Sequence, residues 1–202
     1  MLEILTGSGL AVAAGLNAYI PLLVLGLAGR FLDIVHLPEQ WTWLSNPWVL
    51  AILGVLLVIE IVADKVPVVD SINDWIQTLV RPVAGGIAFG TGSASGTAVV
   101  KDPAAFFTSF AWVPIAIGVL LALATHLTKM ASRPAMNAVT VGAAAPIVST
   151  AEDFSSVILS FVALLVPVLV IFAIIGLVIG FVALFRRRFR KRREAVEVIR
   201  TR

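Results

Sequence analysis

From Val157 to Phe185 the chain carries no charged residue. A bilayer's hydrocarbon core is about 30 Å thick and is crossed by about 20 apolar residues in a helix. A run this long exceeds what a small water-soluble core can cover, so the segment is expected to cross a membrane, tilted or kinked at Pro167. The rest of the chain agrees: 59% of its 202 residues are hydrophobic and 13% are charged, against about 25% charged in a soluble domain. The expected fold is all-α, a polytopic membrane helix bundle over 1–185 followed by a polybasic cytoplasmic tail over 186–202.

Six spans are predicted, near 7–29, 47–64, 82–100, 110–128, 134–150 and 155–185. The N-terminus has an acid at Glu3 and no basic residue nearby, unlike a secretory signal, so the first span is expected to be retained. Lys and Arg placement sets the orientation. With both ends in the cytoplasm, the inner segments hold Lys65, Arg81, Lys129, Arg133 and the nine basic residues from Arg186 onward, while the outer ones hold Arg30 and Lys101. Trp41, Trp43, Trp48 and Trp112 then fall at the outer interface and Trp75 at the inner one. These features place the chain in the cytoplasmic (inner) membrane.

An internal repeat emerges at an offset of 64 residues. Trp48-Val49 aligns with Trp112-Val113, Gly54-Val-Leu-Leu57 with Gly118-Val-Leu-Leu121, Lys65 with Lys129, Asn73 with Asn137 and Pro82 with Pro146. The implied unit is a descending helix, a polar inner turn and a returning helix. Transporters are often built from such repeats, with the site at their interface. Spans one, three and five are rich in Gly and Ala and are expected at the centre, where small residues permit close helix approach. The bulkier even spans are expected to face lipid. Pro21, Pro82 and Pro146 each threaten a helical hydrogen bond.

Charge inside a membrane is costly and marks candidate functional positions. Glu60 and Asp64 share a helix face in span two. The matching stretch of span four carries His126, Lys129 and Arg133. The two faces are expected to meet near the inner side as a charged substrate- or ion-binding site. Pairing that only lets the helices coexist in lipid is the structural alternative. Asp70-Ser71-Ile72-Asn73-Asp74-Trp75 has capping-box-like spacing and predicts a short amphipathic helix on the inner surface, ended by Arg81 beside Pro82. Asn17 and Asn137 place amides within apolar helices. Glu152 and Asp153 follow Ser149-Thr150-Ala151-Glu152, a capping pattern for the start of span six at the outer side.

With no Cys and two His, no metal site and no cofactor is expected. The run from Arg186, Arg187, Arg188 and Arg190 through Lys191, Arg192 and Arg193 predicts stop-transfer and an anchor on anionic lipids, not nucleic-acid binding. Homo-oligomers are permitted by the Gly-rich spans.

Gly15-Leu-Asn-Ala-Tyr-Ile-Pro21, Glu60 through Asp64-Lys65-Val-Pro67 with Asp70 and Asp74, Arg81-Pro82, and Pro146 through Glu152-Asp153 resemble a bacterial membrane family catalogued as domain of unknown function 4126. The resemblance spans roughly 5–180 and implies a multi-spanning membrane protein. Asn17, Glu60, Asp64, Lys65, Asp70, Asp74, Arg81, Glu152 and Asp153 match its pattern, whereas His126 and Lys129 rest on the repeat. A small transporter or channel is the leading expectation. Alternatives are a phospholipid- or lipid-phosphate-binding or translocating protein using Arg81, Lys129 and Arg133, and a membrane scaffold. Gly92-Ser-Ala-Ser-Gly96 faintly resembles the serine motif of rhomboid proteases, but Ser93 stands where that motif has Gly. Ser95 and His126 fall at opposite sides, too far apart to activate a nucleophile. The chain is therefore not expected to be an enzyme.

Overall fold

The computed structural model describes residues 1–32, 35–65, 67–93, 112–140 and 145–180, with Phe110, Val182 and Arg186. Every regular element among them is helical. In order they are α1 (Leu2–Leu16), α2 (Tyr19–Phe31), a 3-10 helix (Glu39–Ser45), α3 (Pro47–Ala63), α4 (Pro67–Gly92), α5 (Trp112–Thr140), α6 (Ala145–Leu165) and α7 (Pro167–Gly180), which opens on a 3-10 turn. By length and composition α5 (Trp112–Ser132) and α6 (Pro146–Leu165) can each cross a membrane. The 3-10 helix with α3, bent by 62°, makes a third such unit.

α1 lies at the centre. Its residues Gly7 through Gly15 are all buried, and it packs against α4, α5 and α6. A helix buried on every side must have thin walls, and the run Gly-Ser-Gly-Leu-Ala-Val-Ala-Ala-Gly supplies them. The most extensive helix interface joins α4 to α5. There Gly85 and Gly118 face each other backbone to backbone. A Cβ on Gly118 would strike the Gly85 carbonyl and the Phe89 side chain.

α3 and α4 are inside-out by the standards of a soluble protein. The buried residues of α3 are Leu53 and Glu60, while Ile52, Val55, Val58, Ile59 and Val62 are exposed. On α4 Ile72, Trp75, Ile76 and Leu79 are exposed, whereas Asp74, Gln77 and Arg81 are buried. Apolar faces outward and ionic faces inward suit a hydrocarbon surround, where polar groups must find partners within the protein.

Several predicted boundaries move. The expected first span turns back at Asn17: Gly7 packs against Phe89 and Ser93 at the end of α4, and Gly26 against Leu44 and Leu50 near the start of α3, so α1 and α2 form a hairpin instead of one span. The stretch 71–79 is not a separate surface helix: α4 runs unbroken through Pro82, so Ser71 and Asp74 lie within a helix begun at Pro67 and do not cap it. The two segments aligned at the 64-residue offset differ where a turn was expected in both. α3 ends at Ala63 with Asp64 as its C-cap, and α4 begins at Pro67. The aligned stretch has Ala131 in place of Pro67, and α5 continues to Thr140 with Pro134 inside it. The capping pattern at Ser149-Thr150-Ala151-Glu152 likewise starts no helix. Ser149 to Asp153 sit inside α6, and the break comes at Val166, before Pro167.

Gly118→Val should lower the melting temperature in detergent, at a cost of about 1–3 kcal/mol from overpacking. Gly176→Ala, where the added methyl meets nothing within 4 Å, should be neutral or stabilise by up to about 1 kcal/mol. Equal losses at the two positions would contradict the close α4–α5 contact.

Candidate functional site: a buried ionic chain at an interrupted helix

The site begins with the gap between α1 and α2. Asn17 is extended (φ −145°, ψ 125°), and its Oδ1 accepts from the N–H groups of Tyr19 at 3.0 Å and Ile20 at 3.2 Å. This is N-cap geometry, for which Asn is among the best residues. Pro21 falls in the first turn of α2, where an N–H has no helical partner in any case. Asn17 Nδ2 donates to Asp153 Oδ1 at 2.9 Å, which ties the gap to α6.

Stopping α1 here frees backbone carbonyls within the bundle. Two cations reach them, and a hydroxyl adds to Ala13 O, which already accepts from Asn17 N–H at 3.0 Å. Arg81 Nη1 donates to Gly15 O at 3.2 Å, Lys129 Nζ to Leu16 O at 3.3 Å and Ser156 Oγ to Ala13 O at 2.9 Å. Positive charge at a helix C-terminus is also favoured by the helix dipole.

The same cations link four helices. Arg81 Nη2 (α4) lies 2.8 Å from Glu60 Oε1 (α3) and 3.7 Å from Asp64 Oδ2. Lys129 Nζ (α5) lies 3.4 Å from Asp64 Oδ2 and 2.9 Å from Glu152 Oε2 (α6). The sequence runs Glu60–Arg81–Asp64–Lys129–Glu152, with alternating sign. Asn73 Nδ2 donates to Asp64 Oδ1 at 2.7 Å. Arg81, Glu60 and Asp64 are 0–1% exposed. Removing one member of such a buried pair leaves an uncompensated charge.

His126 completes the cation side. Its Nε2 lies 3.2 Å from Asp74 O and 3.1 Å from Thr78 Oγ1, and its Nδ1 lies 3.2 Å from Arg81 Nη1. Thr78 Oγ1 donates to Asp74 O at 2.8 Å. These contacts fit the tautomer with hydrogen on Nε2, which leaves Nδ1 to accept from Arg81. Three buried polar atoms beside the ion pair, Glu60 Oε2, Gln77 Oε1 and Arg81 Nε, have no hydrogen-bond partner among the described residues. Buried polar atoms rarely stay unpaired, so this is where a guest molecule or water finds partners.

The structure therefore gathers Asn17, Glu60, Asp64, Arg81, His126, Lys129, Glu152 and Asp153, with Asp74 contributing its carbonyl. Lys65 stays apart: its Nζ donates to Ile61 O at 3.2 Å, closing the end of α3. The side chains of Asp70, Arg133 and Asn137 lie outside the described residues, as do Ser95 and the tail beyond Arg186. Glu152 and Asp153, expected at the outer side, instead lie on the layer of Lys129 and Asn17, because they fall within α6 and the break that follows it comes at Val166. Sequence reasoning missed Gln77, Thr78 and the carbonyls of Gly15 and Leu16. Gln77 and Thr78 were visible one turn before Arg81 on its own helix face, but the carbonyls had no signal until the helix was known to break. Among the described residues no three of His, Cys, Asp or Glu gather to hold a metal ion.

A cavity of about 480 Å³ adjoins this layer, bounded by α1, α5, α6 and α7. Lys129 and Glu152 stand at its polar part and aliphatic side chains form the remainder.

The family description "Domain of unknown function (DUF4126)" matches residues 4–187. No curated protein and no solved structure matches the chain.

Asp64→Asn, Lys129→Met and the double variant should be non-additive, with a coupling of about 0.5–3 kcal/mol measured by unfolding in detergent. Strict additivity would remove the contact. Asn17→Ala should cost about 0.5–2 kcal/mol for the lost cap; an unchanged melting temperature would contradict its place at the gap.

Proposed function

The chain belongs to the DUF4126 family, and from that premise we propose that it is a small integral-membrane transporter or channel whose substrate engages the ionic chain. It crosses the cytoplasmic membrane five times, through α3, α4, α5, α6 and α7, while α1 and α2 form a hairpin that enters from the outer side and turns at Asn17, since Gly7 packs by Phe89 and Ser93 and Gly26 by Leu44 and Leu50 at the same end of the bundle. The C-terminus is cytoplasmic, where the tail from Arg186 rests on anionic lipid, and the N-terminus lies at the outer side, because α1 runs antiparallel to α4 with Gly7 against Phe89 and Gly15 against Arg81. In this arrangement Glu60, Asp64, Arg81, Lys129 and Glu152 share one layer towards the inner side. α3 to α6 then form two successive down-and-up hairpins, the trace of a duplication.

The observation that carries this reading is the interruption at Asn17. Discontinuous helices at membrane depth are tolerated where they are buried or line a path, and transporters place substrate and ion sites at such breaks. Here the break is met by side chains of opposite charge from four other helices. A pure scaffold gains nothing from the unpartnered atoms at Glu60, Gln77 and Arg81, whereas a site with a transient occupant does. The lipid-phosphate alternative draws less support. Arg81 is fully buried against Glu60, and each Lys129 hydrogen already faces an acceptor in Asp64, Glu152 or Leu16 O.

Reconstituted in liposomes, the protein should mediate saturable flux of at least one charged solute from a broad panel. Asp64→Asn should abolish that flux while the protein still elutes as a folded species. Absence of flux across the panel, or full flux by the Asp64 variant, would overturn the proposal.

A further inference from the structure

The 480 Å³ cavity beside the ionic chain has its polar groups paired from within the protein. Lys129 and Glu152, at its polar part, meet at 2.9 Å, and Lys129 also reaches Asp64 Oδ2 and Leu16 O. Each hydroxyl of the lining donates to a carbonyl of its own helix. Thr125 Oγ1 donates to Leu121 O at 2.9 Å, Thr128 Oγ1 to Ala124 O at 2.8 Å, Ser132 Oγ to Lys129 O at 2.8 Å and Ser155 Oγ to Ala151 O at 2.6 Å. Among the described residues, no buried polar atom that lacks a partner belongs to this lining. A polar guest would give up its water here and find no group waiting for it.

The remaining wall is aliphatic, formed by Val12 and Leu16 of α1, Ile158, Leu159 and Val162 of α6 and Leu177 of α7. Apolar cavities stay dry, and an empty one forfeits the contacts that its lining atoms would make. The volume is within the range of about 300–1,000 Å³ typical of small-molecule sites. Where the cavity opens decides which apolar molecule reaches it. Ile158 belongs to the lining and is also 48% exposed, so the opening lies at the surface of α6, where α5 and α6 meet only briefly. Phe154, Phe161 and Leu165 share the helical face of Ile158, and all three are exposed, as are Ile175 and Val178 on α7. A rim of that kind stands in hydrocarbon. The molecules that meet it are bilayer lipids, and the part of a lipid found at that depth is its tail.

We propose that this cavity binds one acyl tail of a membrane phospholipid, drawn in between α5 and α6 and held against α1 and α7, with the headgroup left outside. The site is distinct from lipid-phosphate recognition, because no cation of the ionic chain takes part. It goes beyond the transport reading and does not rest on it.

The test reconstitutes the full chain in phosphatidylcholine and extracts it in a steroid-based detergent, which has no alkyl tail to compete. Mass spectrometry then counts the lipid that stays with the protein. The unsubstituted chain should keep phosphatidylcholine in stoichiometric amount. Hexadecanol, a tail without a phosphate, should displace it, and glycerophosphocholine, a headgroup without tails, should not. Leu177→Trp, which fills the aliphatic wall without touching the ionic chain, should lose most of the retained lipid while still eluting as a folded species. An unsubstituted chain that keeps no lipid, lipid that hexadecanol leaves in place, or lipid that glycerophosphocholine removes would each overturn the proposal. So would equal retention by the folded Leu177 variant; if that variant does not fold, the competition between the two probes decides alone. Because retention is read without flux, a protein that keeps the lipid but carries no solute would refute transport alone. Flux without retained lipid would refute this inference alone.

Discussion

A helix that stops inside an apolar bundle leaves carbonyl groups with no water to turn to, and each one left unpaired costs several kcal/mol, about 2–7 for an amide group moved from water. In this protein that constraint falls at Leu16-Asn17. Asn17 caps the helix that follows, and Arg81 and Lys129 cap the one that precedes. The cations cannot stand alone in such surroundings either, so Glu60, Asp64 and Glu152 must be there to neutralise them. The gap therefore determines much of the interior. Each helix that supplies a charge is drawn to the same layer.

The consequence for packing is clearest in α3. In lipid, aliphatic surface gains nothing by turning inward, and helix association depends on close packing and polar contacts. α3 buries Leu53 and Glu60 and leaves a stripe of Ile and Val outside. Its attachment passes largely through Glu60 and Asp64. α1 and α4 use the other device, small residues that bring backbones together at Gly7, Gly85 and Gly118. The bundle is held by thin helices at the centre and by ionic links around them.

Much of this was legible in the residues. The apolar runs announced helices in a membrane, the Gly-rich stretches announced the centre, and Glu60, Asp64, His126 and Lys129 announced a shared charged layer. The boundaries were less legible because hydropathy reports burial in apolar surroundings and not where a backbone bends. Asn17 looked like one polar residue inside a span, since nothing local distinguishes an amide that caps a new helix from one that bonds a neighbour. Ser149-Thr-Ala-Glu152 had a capping pattern, yet α6 had begun at Ala145, four residues before Ser149. There Pro146 had found a position at the start of a helix where its missing N–H does no harm. The true stop, Val166-Pro167, was in the sequence as a proline, and its force was underestimated. Misplacing that turn put Glu152 and Asp153 on the wrong side of the bundle, although the residues themselves were singled out.

The central claim is that Arg81 and Lys129 hold the interrupted helix by its own carbonyls. Hydrogen–deuterium exchange in nanodiscs measures this directly at the backbone. In Arg81→Gln and Lys129→Gln, amide exchange across residues 13–22 should rise well above that of the unsubstituted chain, while the α4–α5 contact around Gly85 and Gly118 keeps its protection. Exchange across 13–22 that is unchanged in both variants would contradict the account.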